Sequence, residues 1–501
     1  MPEGISRRGF FGMTTVGAAA LSQTVPASAQ AAGTITVRQT AETKRFAEEP
    51  ALKWQPAAAS SNEAIVLDPS RTYQEMLGFG GALTDAAAYM INQLDAPSRE
   101  KFLRELYDPS ELGLEVTRIC VGSSDYAATM YSYDEGDADP DMKRFSIDHD
   151  KAYILPQLRT ARKYNPSLYL FASPWSPPGW MKANGTMLGG SLKPKNFPAY
   201  AKYFVKFLQS YQAEGVPVDA ISPQNEVDTD QDGRMPACVW AQEHEIVFVN
   251  QHLGPALEQN MIPTKIWLLD HNFNLWGRVM NELENPLVSR YADGVAWHPY
   301  VGSVTAVSRV HDQFPDKNMY WTEGDFEATF SLAGSMTFGA GAPGGAGPEP
   351  AGGAGSPPPR RDLQSSEAIA RAGVGAANAV RNWLKCIIVW NLVLDENGKP
   401  NIGPFNVSGF ITIDSKTKEI TRSGAYWAMK HYTHAAHRGS KHFDTRGELE
   451  GVAHVAFVNP DGAKTVVLSN TGAARKTQLR LGNLMTEVSL PANSITNLSW
   501  V

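Results

Sequence analysis

Cysteine is scarce in this 501-residue chain, which has only Cys120, Cys238 and Cys386. An odd number at such wide spacing gives no disulfide framework and no paired-cysteine metal site. Cys120 and Cys386 sit in apolar runs and read as buried thiols. An excess of positive charge is also missing: Lys+Arg total 45 against Asp+Glu 52, for a net charge of −7. With no basic stripe, a nucleic-acid partner is excluded. Beyond the N-terminal leader, no apolar run reaches the ~18 residues of a membrane span. Familiar catalytic signatures are absent too. There is no GxSxG elbow, and Gly78–Leu83 lacks the third glycine of a dinucleotide fingerprint. His244-Glu245 has Phe248 where a zinc-protease helix needs its second histidine. Asp228–Gly233 resembles the first half of a calcium loop, but Val239 stands where the closing glutamate belongs, so it reads as an acidic loop. No cofactor and no metal is expected.

What is present is a globular composition: 43% hydrophobic, 10% aromatic and 19% charged residues. The first residues are an address. Arg7-Arg8 precede Phe10-Phe11, a weakly apolar stretch follows to Val25, and Ala27-Ser28-Ala29 forms a small-x-small cleavage site. Residues 1–29 therefore read as a twin-arginine signal, with a general secretory leader as the plainer alternative. The expected location is periplasmic or secreted.

From Met76 to Leu392 eight short apolar runs alternate with longer segments of helical period. The runs are Met76–Gly81, Glu115–Gly122, Leu168–Pro174, Val218–Glu226, Lys265–His271, Asp293–Tyr300, Asn318–Asp325 and Lys385–Leu392. Their apolar character is nearly continuous, as strands of a parallel sheet covered on both faces require. Pro198–Ala213 and Ala241–Leu257 read as amphipathic helices between them. Eight such units predict an α/β fold, a (β/α)8 TIM barrel over residues 75–434. After residue 435 the pattern alternates, and Gly451–Asn470 turns at Pro460-Asp461-Gly462. Residues 435–501, joined by strands from 30–74, predict a small β-sandwich side domain. Gly339–Pro359 holds eight Gly, six Pro and five Ala in 21 positions. The segment 339–361 is therefore expected to be a mobile loop over the functional face.

In such a barrel, chemistry sits where the strands end. Those ends carry Asp85, Arg118, Asp125, Trp175, Asn225, Glu226, His298, Tyr300, Glu323, Trp390 and Asn391. Glu226 and Glu323 end strands four and seven, from which their side chains can converge across the mouth. Paired carboxyls across a cleft are what glycoside hydrolysis needs: one protonated to donate to the leaving oxygen, one ionised to attack the anomeric carbon. The plainer alternative is two unrelated glutamates in surface ion pairs.

The neighbouring motifs decide between these. Gly78–Asp85 (GFGGALTD), Arg118–Tyr126 (RICVGSSDY), Ala172–Pro178 (ASPWSPP), Gln224-Asn225-Glu226, His298-Pro299-Tyr300, Thr322-Glu323 and Trp390–Leu394 (WNLVL) occur in this order at strand ends. With them the chain resembles glycoside hydrolase family 30, most closely its glucosylceramidase-like branch, from about residue 75 to the end. The resemblance implies that Glu226 is the general acid/base and Glu323 the nucleophile of a retaining mechanism. It implies that Asn225 hydrogen-bonds the sugar 2-hydroxyl, and that Asp125, Trp175 and Trp390 wall the terminal sugar. Arg118 and Tyr300 are implied to hold Glu323 ionised, and His298 to orient Glu226 or the leaving group. A structural role for His298, and core roles for Trp175 and Trp390, are the plainer alternatives.

The expected activity is that of an exported retaining β-glycosidase acting on a β-linked glycoside or glycan, above all on β-glucosidic bonds. A β-1,6-glucanase or β-xylosidase on the same scaffold is the rival. A non-catalytic carbohydrate-binding protein is a more distant one, disfavoured because both glutamates are present. Nothing in the sequence indicates an oligomeric state.

Overall fold

A computed structural model describes residues 33–57, 64–324 and 364–501. The leader 1–29 and the whole glycine- and proline-rich segment 339–361 lie outside the described residues. Eight parallel strands close into a barrel: Gly78–Ala82, Val116–Cys120, Tyr169–Ser173, Ala220–Ile221, Lys265–Asn272, Ala292–His298, Asn318–Trp321 and Leu384–Val389. Each falls within or at the edge of one of the eight apolar runs. The last pairs with the first, Cys386 opposite Gly78. Gly80 pairs with Val116, and a Cβ on Gly80 would meet the Val116 carbonyl carbon at 2.6 Å. Part of the GFGG motif is thus a close-approach requirement between two strands.

The barrel interior is layered. Val116, Phe171, Trp267, Tyr320, Cys386 and Ile388 form an apolar layer, with the Trp267 and Tyr320 rings stacked at 3.8 Å. A larger apolar core lies between barrel and helices. All three cysteines are buried and unpaired.

Two strands depart from regular geometry at their ends. The fourth is only two residues long, although its apolar run reaches Glu226. Pro223 has no N–H for the ladder, and the chain turns so that Glu226 takes φ 52°. Backbone bonds hold this conformation: Glu226 N donates to Asp270 O at 3.0 Å, and Asn225 N to Pro174 O at 2.8 Å. The fifth strand bulges. Leu269 and Asp270 have φ 71° and 49°, and the register with its neighbour shifts between Ala296 and Trp297. Leu268 and Leu269 both pack into the outer core, so the bulge returns Asp270 to the barrel interior.

The expected helix Ala241–Leu257 is present as Gln242–Phe248 and Gly254–Gln259, joined through a π turn at Val249–Leu253. Pro255, which cannot donate to the helix ladder, accounts for the widened turn before it. A three-stranded sheet (Val393–Leu394, Ile411–Ile413, Ile420–Arg422) follows the eighth barrel strand and was not legible in the periodicity.

Ten strands form the second unit as one continuous sheet. Four come from Thr34–Glu75 and six from Lys441–Trp500. It has its own apolar core around Ile35, Ile65, Phe443, Leu468 and Leu498. Two helices, Ser366–Arg381 and Gly424–Ala435, link it to the barrel. Ser365 and Ser423 cap their N-termini through side-chain oxygens. Among the described residues, no helix is long and apolar enough to cross a membrane.

Candidate active site

Above the apolar layer the barrel interior turns polar, and one buried guanidinium organises it. Arg118 is fully buried. Its Nη2 lies 3.0 Å from Asp270 Oδ2 and donates to Asn225 Oδ1 at 2.6 Å. Its Nη1 donates to Thr322 O at 2.9 Å and lies 3.1 Å from Glu323 Oε2. The cation therefore joins barrel strands two, four, five and seven at one point. Asp270 is held from every side: Ser222 Oγ donates at 2.8 Å, Thr322 Oγ1 at 2.7 Å, and His298 Nε2 lies 3.0 Å away. Burial pushes the Asp270 carboxyl up, but Arg118 and His298 outweigh it and hold it well below the usual carboxylate range.

Glu226 and Glu323 meet at His298. Its Nδ1 is 3.5 Å from Glu226 Oε1 and 4.0 Å from Glu323 Oε1. Tyr300 Oη donates to Glu323 Oε1 at 3.0 Å. Glu226 has further partners that the sequence reading did not single out. His271 Nδ1 lies 3.6 Å from Oε1, and Gln231 Nε2 donates to Oε2 at 3.2 Å. His271 Nε2 is in turn hydrogen-bonded to Asp228. The acidic loop at Asp228–Gly233 is therefore part of the surroundings of Glu226. Asp270 and His271 had a legible signal: two polar residues ending an otherwise apolar run.

Trp175 and Trp390 stack at 5.0 Å with planes 20° apart, and the Arg118 guanidinium lies 4.8 Å from the Trp175 ring. Asp125 is buried nearby, where burial and the charges of Glu323 and Glu226 push its carboxyl well up. That shift favours the neutral carboxyl, a form that could donate to a hydroxyl. The loop after the eighth strand closes over it, with Ile402 N donating to Asp125 O at 2.8 Å. Asp85 stands apart. Its carboxylate accepts from Ala128 N at 2.7 Å and pairs with His149, which fixes a loop.

The charge order in the unliganded site differs from the expected one. Burial raises Glu226, but His271, His298 and Arg118 bring it down to about 2. Burial raises Glu323, and the charge of Glu226 adds to that against His298 and Arg118. Burial lowers His298, yet Glu323, Asp270 and Glu226 raise it to about 9. Arg118 and Tyr300 do contact Glu323, but the two histidines stand beside Glu226. Of this cluster, His298 is the group whose surroundings most favour the protonated form. Glu226, His271 and His298 are also the group whose ligand atoms are close enough to hold a metal ion among the described residues.

Known proteins resemble this chain over most of its length. The family model for the glycosyl hydrolase family 30 TIM-barrel domain matches residues 76–339, and that for the family 30 beta sandwich domain matches 439–498. An endo-1,6-beta-D-glucanase of Neurospora crassa is 27% identical over 428 residues, 80% of this chain and 80% of that protein. The lysosomal acid glucosylceramidase of Mus musculus is 27% identical over 423 residues, 81% of this chain and 77% of its own length. The solved structure of an endo-beta1,6-glucanase superposes with a TM-score of 0.78 at 27% identity, covering 94% of this chain and 100% of that one.

Proposed function

The chain belongs to glycosyl hydrolase family 30, and from that premise we propose that this glycoside hydrolase cleaves β-glucosidic bonds with retention of configuration. The observation that carries the reading is the meeting of two carboxyls at one nitrogen: Glu226 and Glu323 both lie within 4.0 Å of His298 Nδ1. That closeness favours the short carboxyl separation of retaining enzymes, about 5–5.5 Å, over the wider spacing that admits a water.

Glu323 is the nucleophile in this reading. The Arg118 cation and the Tyr300 hydroxyl stabilise it as an anion until it attacks the anomeric carbon. Glu226 is the acid/base. It is ionised in the resting site, so it takes up a proton as the sugar fills the cleft and excludes water, with His298 as the adjacent donor. Once the glycosyl-enzyme has formed and the leaving group has taken that proton, Glu226 withdraws one from water. Arg118 occupies the Asn225 amide oxygen, which leaves the amide nitrogen to donate to the sugar 2-hydroxyl. Trp175, Trp390 and Asp125 bound the sugar. The names of both kinds of relative contain a glucosyl unit, which supports glucose at the cleaved bond. The β-1,6-glucan reading stands level with the lipid-glucoside one, because relatives of both names align over four-fifths of the chain.

Two measurements test the reading. Proton NMR during hydrolysis of an aryl β-glucoside should show β-glucose first; α-glucose first would overturn it. With azide, Glu226→Ala should give the β-glucosyl azide and Glu323→Ala the α-azide. The reverse pattern would exchange the two roles. Product analysis on β-1,6-glucan, glucosylceramide and xylo-oligosaccharides then separates the substrate classes. Export belongs to the same proposal: residues 1–29 should carry a folded reporter out of the cytoplasm, and Arg7→Lys with Arg8→Lys should stop it.

A further inference from the structure

Two histidines approach the Glu226 carboxylate in the same way. His271 engages Asp228 through Nε2, and His298 engages Asp270 through Nε2 at 3.0 Å. In each ring the other nitrogen, Nδ1, is buried and makes no close, well-aligned hydrogen bond, with only carboxylates facing it. Both Nδ1 atoms face one oxygen, Glu226 Oε1, at 3.6 and 3.5 Å. The three ligand atoms all lie within 4.8 Å of one another.

A carboxylate behind a histidine is the arrangement that orients ring nitrogens toward zinc, because it fixes the tautomer and makes the free nitrogen more basic. Here it occurs twice, on rings aimed at one carboxylate oxygen. A tetrahedral zinc with bonds of about 2.0–2.1 Å sets its ligand atoms roughly 3.4 Å apart. Two of the three edges are already near that length, and a small closure of the two rings completes the third. Four carboxylates stand nearby: Asp270 and Glu323 pair with Arg118, Asp228 backs His271, and Glu226 faces both rings, so an ion would take the place of the proton that His298 favours. Glu226 retains some exposure to the cleft, so an ion can enter without unfolding.

We propose that Glu226, His271 and His298 form a binding site for a zinc-class divalent cation, and that the ion inhibits the enzyme. The bound ion would occupy the carboxylate oxygen on which the acid/base role depends and leave its remaining position open to the cleft. The inhibitory consequence rests on the reading of Glu226 as acid/base; the binding does not.

The test titrates ZnCl2 into the full-length chain, first stripped with EDTA, by calorimetry. Aryl β-glucoside hydrolysis is followed in parallel. The expected result is one zinc per chain at micromolar concentration, with inhibition at the same midpoint and recovery on adding EDTA. His271→Ala should weaken binding at least 30-fold. Asp228→Asn, at a partly exposed side chain, should weaken it about 10-fold through the orientation of His271. Should His271→Ala fail to fold by circular dichroism, Asp228→Asn decides alone. Absence of binding heat at 1 mM zinc, affinity unchanged in the folded variants, or saturation without inhibition would each overturn the proposal. Were the chain unable to hydrolyse glucosides, the calorimetry would still decide whether the site exists.

Discussion

Arg118 and Asp270 form an ion pair at 3.0 Å in which neither side chain reaches solvent. Burying both charges is costly, and the geometry offsets that cost only because each ion is fully occupied elsewhere. Arg118 also holds Asn225, Thr322 and Glu323, while Asp270 also holds His298, Ser222 and Thr322. The pair, itself on strands two and five, therefore fixes the relative positions of residues contributed by strands four, six and seven.

Asp270→Asn keeps the volume and removes the charge. It should destabilise the fold by about 3 kcal/mol in urea unfolding, since it leaves Arg118 buried with half its compensation. It should also lower kcat/KM about 100-fold, because Glu323 and Asn225 lose their common anchor. Unchanged unfolding would mean that the pair is not the organising contact.

Removing the two glutamates should have different signatures. Glu226→Ala should slow glucosides with poor leaving groups by about 10²–10⁴-fold while changing the formation of the glycosyl-enzyme from a dinitrophenyl glucoside far less. Glu323→Gln should abolish both. Equal losses on both substrates in the Glu226 variant would contradict its role as the acid.

Trp175→Ala takes away the ring that stacks on Trp390 and lies against Arg118. KM for aryl glucosides should rise at least 10-fold, and Trp175→Phe should recover part of it. A change confined to thermal stability would return Trp175 to the role of a core residue.

The junction between barrel and sandwich should be acid-sensitive. His431 is fully buried, with Nδ1 2.8 Å from Asn497 Oδ1 and Nε2 2.8 Å from Thr40 Oγ1. Burial brings its pKa down from 6.5 to about 3. The folded form thus favours the neutral ring, so this stability is present above pH 6.5 and is lost as pH falls toward 3, by at most about 1.4 kcal/mol per unit. His442 is lowered to about 3 as well and acts with the same sign. Tm should drop between pH 7 and pH 4, and His431→Gln should flatten that slope without removing it. An equally steep slope in the variant would exclude His431 as a cause.

Gly373, on the helix Ser366–Arg381, lies where that helix meets the sandwich sheet. A Cβ there would come within 2.7 Å of Ile495 Cδ1 and also strike the Ser469 hydroxyl. Gly373→Val should cost about 1–3 kcal/mol through overpacking. Urea unfolding measures the loss, and an unchanged midpoint would exclude the contact.

The sequence by itself determined the architecture. Eight near-continuous apolar runs define eight strands buried on both faces, and alternation after residue 435 defines a sheet with its own core. It also showed which residue types stand at the strand ends, because a polar residue closing an apolar run has few other uses. The tertiary structure decided which of those residues meet. Asp85 ends up tying a loop, while Asp270 and His271, passed over in the sequence, sit at the centre. Linear periodicity assumes strict alternation, and a bulge at Leu269–Asp270 breaks it by turning two successive leucines outward and the aspartate in. The charge order of the carboxyls was likewise illegible, since it depends on distances between residues far apart in the chain. His271 and His298 stand 3.6 and 3.5 Å from Glu226 only after strands four, five and six have closed side by side. Electrostatic coupling falls with separation in space, and spacing along the sequence does not record it.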